Sequence, residues 1–256
     1  MKHTCLVGAV LAMGLLYPQF GGAGNPTVQN IISELQRTDA AREASIHDMV
    51  YTAETTVVEW EDVSRTTVKS ETLSMRTVYV REPDQMRNEY LSMSVDGREL
   101  GKKEIQRELA RQRRGGRSEG EREYQSPFSP EATDLYKFTL KGEDVFAGQA
   151  VWLVDFRPKE PEENLFAGTA FVSQSAYQVV FVEMVPAVLP GVLKEFSMNV
   201  RFAPVGEYWL PSVFSMDMRV RISFLVTLAE RIFSIEDRYS DYRLNVGLDE
   251  RIFTGE

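Results

Sequence analysis

The sequence predicts a mostly β fold with a helix at its start and its strands in antiparallel order. Two segments near the C-terminal end carry the prediction. Phe196, Met198, Val200 and Phe202 alternate with Ser197, Asn199 and Arg201, and Phe214, Met216, Met218, Val220 and Ile222 alternate with Ser215, Asp217, Arg219 and Arg221. A period of two puts one dry and one wet face on a strand, the pattern of antiparallel sheets. Helical spacing is clear in only one place, where Val28, Ile31, Ile32 and Leu35 fall at i, i+3, i+4 and i+7.

The elements follow in order. Lys2, the apolar run Cys5 to Leu16, Pro18 and the small residues Gly21-Gly22-Ala23-Gly24 have the order of a secretory signal peptide. The run is about a dozen residues long, short of the roughly 20 that a membrane span needs. Residues 1–24 are therefore expected to be a cleaved signal peptide, and residues 25–256 a single soluble β domain. Asn25-Pro26 reads as a cap with proline at the first helical position, and the helix is expected to end near Arg37, with a short further turn over residues 38–45. Strands are expected over residues 49–60, 71–81 and 86–94, with turn chemistry at Glu82-Pro83-Asp84 and Asp96-Gly97. Residues 101–123 hold eight basic and five acidic side chains and too little apolar surface to order themselves firmly. They read as an exposed, charged insertion that is dispensable for folding, either a solvated arm without a function or a basic docking patch for anionic lipid or a partner. Strands resume at Tyr136, and the runs Ala150–Phe156, Phe171–Met184 and Arg231–Tyr242 bring the expected total to nine or ten.

Composition narrows the function. The single cysteine, Cys5, lies within the signal segment, so the mature chain has no disulfide, thiol nucleophile or thiolate metal site. A formal net charge of −9 argues against nucleic acid as a partner, whose binders carry a basic face. There is no G-x-S-x-G elbow, no H-E-x-x-H pair and no glycine-rich phosphate loop. His47, the only histidine after residue 24, has no partner spacing to make it a base. No catalytic residue, cofactor or metal site is expected, and the chain is read as a non-enzyme.

The dry face is the better candidate for a site. One amphipathic helix is little cover for so many strands, and a curved sheet only partly plugged by helix leaves an apolar cavity. Methionines on that face suit ligands of varied shape because the side chain is flexible and polarizable. Phe196, Met198, Phe214, Met216 and Met218 are the expected lipid-binding residues, with ordinary core packing as the competing reading for each. The apolar loop Pro186–Leu193 and the hairpin end Phe224-Leu225-Val226 point either to a partner or membrane contact or to a cover over the core.

A family resemblance joins these readings. The stretch Tyr136 to Lys159, with its Glu143-Asp144-Val145-Phe146-Ala147-Gly148 turn and Pro158-Lys159 ending, resembles the central hairpin of the outer-membrane lipoprotein-sorting (LolA-like) proteins. Phe166-Ala167-Gly168, Glu207-Tyr208-Trp209-Leu210-Pro211 and Tyr239-Ser240-Asp241-Tyr242-Arg243 fit the same pattern, and the resemblance covers most of residues 28–244. Phe171-Val172-Ser173 stands where that family often has Trp-x-Asp. The resemblance implies an unclosed, half antiparallel β-barrel covered by helices and enclosing a hydrophobic cavity. It implies a periplasmic carrier or binder whose partners are lipoprotein acyl chains or another lipid, with envelope membrane proteins as further partners. The alternative on the same scaffold is an envelope sensor or interaction protein that transports nothing.

The export reading is directly testable. N-terminal sequencing of the exported protein should find a chain beginning at Gly24 or Asn25. Recovery of the intact chain only in detergent-extracted membranes would contradict it.

Overall fold

The computed structural model describes residues 26–81, 85–115, 126–224 and 227–254. The signal segment, the turn at 82–84, residues 116–123 of the charged insertion and Leu225-Val226 lie outside the described residues.

Helix α1 spans Val28–Ser45. Its cap is Thr27, whose hydroxyl accepts from the Asn30 amide at 3.2 Å, so the cap falls two residues later than Asn25. The helix also runs past Arg37 without a break. Nothing in 38–45 stops it: that stretch has three alanines, no glycine and no proline. Ile31, Ile32 and Leu35 are buried, and all of them lie in the first half.

Among the described residues every strand belongs to one sheet. In chain order they are β1 Asp48–Trp60, β2 Val68–Arg81, β3 Gln85–Val95, β4 Arg98–Glu99, β5 Tyr136–Phe146, β6 Gln149–Pro158, β7 Phe166–Ser173, β8 Val179–Pro186, β9 Leu193–Val205, β10 Tyr208–Phe224 and β11 Thr227–Leu244. The spatial order is β4-β3-β2-β1-β11-β10-β9-β8-β7-β6-β5. Two antiparallel meanders are thus joined where the last strand pairs with the first, Val57 opposite Ile235. The edges, β4 and β5, do not pair, so the sheet is unclosed, as a half-barrel requires. The eleven strands exceed the expected count for two reasons. β4 is only two residues long. The run Phe171–Met184 is not one strand but the end of β7 and most of β8, joined by a turn at 174–178. That turn contains no glycine or proline; Tyr177 supplies its positive φ of 49°, so the sequence carries no turn signal there.

The core lies under β5 to β9. Phe156, fully buried, takes Phe128 edge-on at 5.4 Å and Tyr136 at 6.1 Å, and α1 adds Ile31, Ile32 and Leu35 to the same cluster. Gly168 makes this packing possible. A Cβ there would lie 2.0 Å from the Glu183 carbonyl oxygen and 2.9 Å from the Phe156 ring, so only glycine lets β8 and that ring approach β7 so closely.

Across the sheet the inner face changes character. Directly opposite residues share a face. The row Val200, Phe214, Asp237, Thr55 therefore passes from apolar on β9 and β10 to polar on β11 and β1. There Thr55 hydrogen-bonds to Asp237 and accepts from Arg76. The row Phe196, Met218, Phe233, Glu59 ends in a carboxylate 6% exposed. Arg231 donates to both carboxylate oxygens of Glu59, at 2.6 and 2.8 Å, and Lys69 adds a third bond at 2.9 Å.

The charged insertion begins as helix α2, Lys102–Gly115. Its first turn is tied down. Ile105 is 5% exposed, and the Glu104 carboxylate accepts from the Gly101 amide at 2.9 Å and from Arg98 at 3.0 Å. A short helix α3, Pro130–Thr133, precedes β5, and α4, Arg251–Thr254, follows β11.

The Glu59 clamp gives stability a pH signature. The two bonds from Arg231, helped by Lys69, hold the Glu59 carboxyl down at about 2. An unfolded glutamate titrates near ~4.3, so the clamp's contribution is complete above that value. It is lost as pH falls toward the folded value. The melting temperature should drop between about pH 5 and 2, and Glu59→Gln should both lower it at neutral pH and flatten that part of the profile. Thermal unfolding of both proteins across this range checks it; parallel profiles would show that the clamp contributes nothing.

Candidate ligand cavity

Where the apolar stripe of α1 ends, the helix stops sealing the sheet. Residues 36, 39, 40 and 43 continue one helical face at i, i+3, i+4 and i+7, but they are Gln36, Asp39, Ala40 and Glu43. Such a face cannot be pressed dry against β8 and β9, because each buried polar group would have to find a partner. The space left between is a cavity of about 470 Å³, lined by all four.

The sheet supplies its floor. Val182 and Met184 of β8 stand opposite Val200 and Met198 of β9, and Phe202 and Trp209 extend the surface toward the β9–β10 turn. The segment 126–131 forms the remaining wall. Phe128 anchors it, 5% exposed and 5.7 Å from the Phe138 ring. Ser129 caps α3 by accepting from Ala132 at 3.2 Å, and Gln36 donates to Thr133, fastening α3 to α1.

The polar groups are unevenly placed. Asp39 and Arg42 pair at 3.0 Å. Burial pushes the Asp39 carboxyl up from its usual range, Arg42 pulls it down, and the Glu43 charge raises it further. Glu43 and Glu131 are exposed and also line the cavity, which places them at its opening. Inside, the side-chain oxygen of Gln178 is buried and accepts no hydrogen bond. No group of three or more His, Cys, Asp or Glu capable of holding a metal occurs among the described residues, and His47 is exposed.

Of the five residues singled out on the dry face, Met198 lines this cavity. Phe196 packs beside it against the core cluster. Phe214, Met216 and Met218 share the face, opposite Val200, Met198 and Phe196, and are half-buried, but they are not part of the lining, to which β10 gives Trp209 near its start. Period-two patterning identified the face without telling which strands α1 would leave uncovered. The missed part is the helical lip. Its signal was present in the change from isoleucine and leucine to glutamine, aspartate and glutamate along one stripe.

The apolar loop between β8 and β9 packs on the core cluster at Ala187, and its tip is exposed. Val188, Leu189 and Val192 are 37%, 42% and 59% exposed. The Val192 carbonyl takes the Arg221 amide at 2.8 Å, which holds the loop beside the far end of β10. Among the described residues, no helix is long and apolar enough to cross a membrane.

Residues 34–234 match the family described as "Family of unknown function (DUF5686)". No curated protein matches the chain. Among solved structures, it is similar to a DUF1329 family protein from Desulfovibrio piger, at 14% identity over 89% of this chain and 97% of that one, with a TM-score of 0.44. It is also similar to a domain described as an outer membrane lipoprotein-sorting protein from Vibrio parahaemolyticus, at 15% identity over 88% and 96%, TM-score 0.41. A LolA superfamily protein from Nitrosomonas europaea shares 10% identity over 89% and 97%, TM-score 0.36.

Proposed function

The chain belongs to the DUF5686 family of unknown function, and for it we propose the role of a periplasmic binder or carrier that holds an apolar chain of a lipid or lipoprotein in the cavity under α1. The observation that carries this reading is the cavity itself: about 470 Å³ of space, floored by Val182, Met184, Met198, Val200 and Phe202 and bordered by polar side chains of the helix. That volume lies within the roughly 300–1,000 Å³ range of pockets that take one small molecule, and its apolar floor with few polar groups is the usual composition of such sites. Each methylene of an acyl chain taken from water contributes about 0.8 kcal/mol, so a long chain has ample reason to enter. The exposed loop residues Val188, Leu189 and Val192 suit a protein that meets a membrane or an apolar partner. The signal-like start of the sequence supports the periplasm as its place of work. Phe196, Phe214, Met216 and Met218, adjoining the floor, are proposed to receive the part of a chain too long for the cavity as it stands.

The test is binding of the neutral fluorescent probe N-phenyl-1-naphthylamine. Met198→Asp places a carboxylate on the floor with no partner; a cost of a few kcal/mol translates into at least a tenfold loss of affinity. Met216→Asp, one strand away, should cost less. Ala40→Trp, on the exposed lip of the helix, should block entry without disturbing the core, and it covers the case in which Met198→Asp fails to fold. Unchanged binding by a folded Met198→Asp protein and by Ala40→Trp would sink the proposal, as would no binding by the wild type.

A further inference from the structure

The floor of the cavity is long and narrow. It is two strands wide: Val179, Val182 and Met184 come from β8, and Met198, Val200 and Phe202 from β9. Along β8 it runs from Val179 to Met184, roughly 16 Å at about 3.3 Å per residue. On the β7 side it meets sealed core, where Ala170 and Val172 are fully buried. An aromatic side chain of the lining stands past each end, on a different flanking strand. Phe166 of β7, 4% exposed, is opposite Pro186 and so beyond Met184. Trp209 of β10 is opposite Pro204 and so beyond Phe202. Length and volume then give the same capacity. An extended hydrocarbon advances about 1.3 Å per carbon, the projection of a ~1.5 Å bond, so about a dozen carbons span the floor. A methylene takes about the space of one water in the liquid, ~30 Å³, so a cavity of about 470 Å³ is filled by roughly fifteen of them. Chains lying side by side would need a volume that is a multiple of what the length accommodates, and here the two agree.

Resting on the cavity reading above, we propose that the preferred ligand is a single-chain lipid, its one acyl chain of about twelve to fifteen carbons extended along β8 and β9 between Trp209 and Phe166. Such a chain fills the slot in single file. Carbons beyond the slot, or a second chain, reach only the half-buried face of β10 at Phe214 and Met216, where less of their surface leaves water and each contributes less. The slot therefore selects by the number and length of chains, and Trp209 sets the length at the β9–β10 end.

Displacement of N-phenyl-1-naphthylamine from the full protein by phosphatidylcholines, all below micelle formation, tests this with one head group throughout. Dodecanoyl lysophosphatidylcholine should bind severalfold more tightly than dioctanoyl phosphatidylcholine, although the second carries more apolar carbon. In the lysophosphatidylcholine series from octanoyl to octadecanoyl, affinity should rise with length and level off between dodecanoyl and hexadecanoyl. Trp209→Ala should move that break to longer chains, and Val200→Phe, in the middle of the floor, should move it to shorter ones. A merely structural defect would weaken all lengths alike and leave the break in place, and either variant suffices where the other fails to fold. If dioctanoyl phosphatidylcholine equals or exceeds the single-chain lipid, or if affinity climbs evenly to octadecanoyl, the selection is overturned while the cavity reading stands. Binding of the probe with displacement by none of these lipids has the same result. A break unmoved in the folded variants overturns the assignment of Trp209. If the probe itself does not bind, the cavity reading fails and this inference fails with it.

Discussion

An open sheet with a dry inner face has to be covered, and this chain has one long helix with which to cover it. The apolar stripe of that helix is short: Val28, Ile31, Ile32 and Leu35 occupy its first half and nothing comparable follows. The helix nevertheless continues to Ser45, because propensity, not burial, sustains its second half. It stays close to the sheet without being able to seal it. Core, cavity and polar lip all follow from that mismatch between the length of the helix and the length of its apolar stripe. Under the first half lie Phe156, Trp152 and Val154; beside the second lies empty volume.

The rest of the inner face is handled differently. From β11 to β2 the inner face mixes apolar side chains, Ala53, Val57, Val78, Phe233 and Ile235, with polar ones that satisfy one another: Arg76, Thr55 and Asp237 in one cluster, and Glu59 with Arg231 and Lys69 in another. Tyr51, Tyr239 and Tyr242 close over the first cluster, with ring centroids 5.0 and 5.8 Å apart. Burial raises the titration of all three phenols, so they stay neutral and act as apolar bodies with polar tips.

This division also accounts for the kind of site the protein offers. A pocket with an apolar floor and few polar groups gives affinity through burial. Two carboxyls among the described residues are strongly depressed, and neither lines it: Glu59 is spent holding two cations across the sheet, and Asp62 accepts from Ser64, Thr66 and Thr67 in the β1–β2 turn. Both shifts have a structural cause and mark no reacting centre.

The sequence by itself determined the β class, the antiparallel order and the starting helix, because these depend on local periodicity: two for Phe196–Phe202 and Phe214–Ile222, three to four for Val28–Leu35. It also marked the dry face, since side-chain direction along a strand is fixed by alternation. Where local chemistry was silent, the reading slipped. The 174–178 turn, without glycine or proline, hid the division between β7 and β8, and the alanines after Arg37 let α1 run on. Only the tertiary structure decided which part of the dry face becomes core and which becomes cavity. Met198 and Met216 are alike in residue type and in alternation, and they face each other across two paired strands. One lines the cavity and the other does not, because the axis along which α1 and the 126–131 segment cross the sheet is set by long-range packing around Phe128 and Phe156, of which no single strand carries a trace.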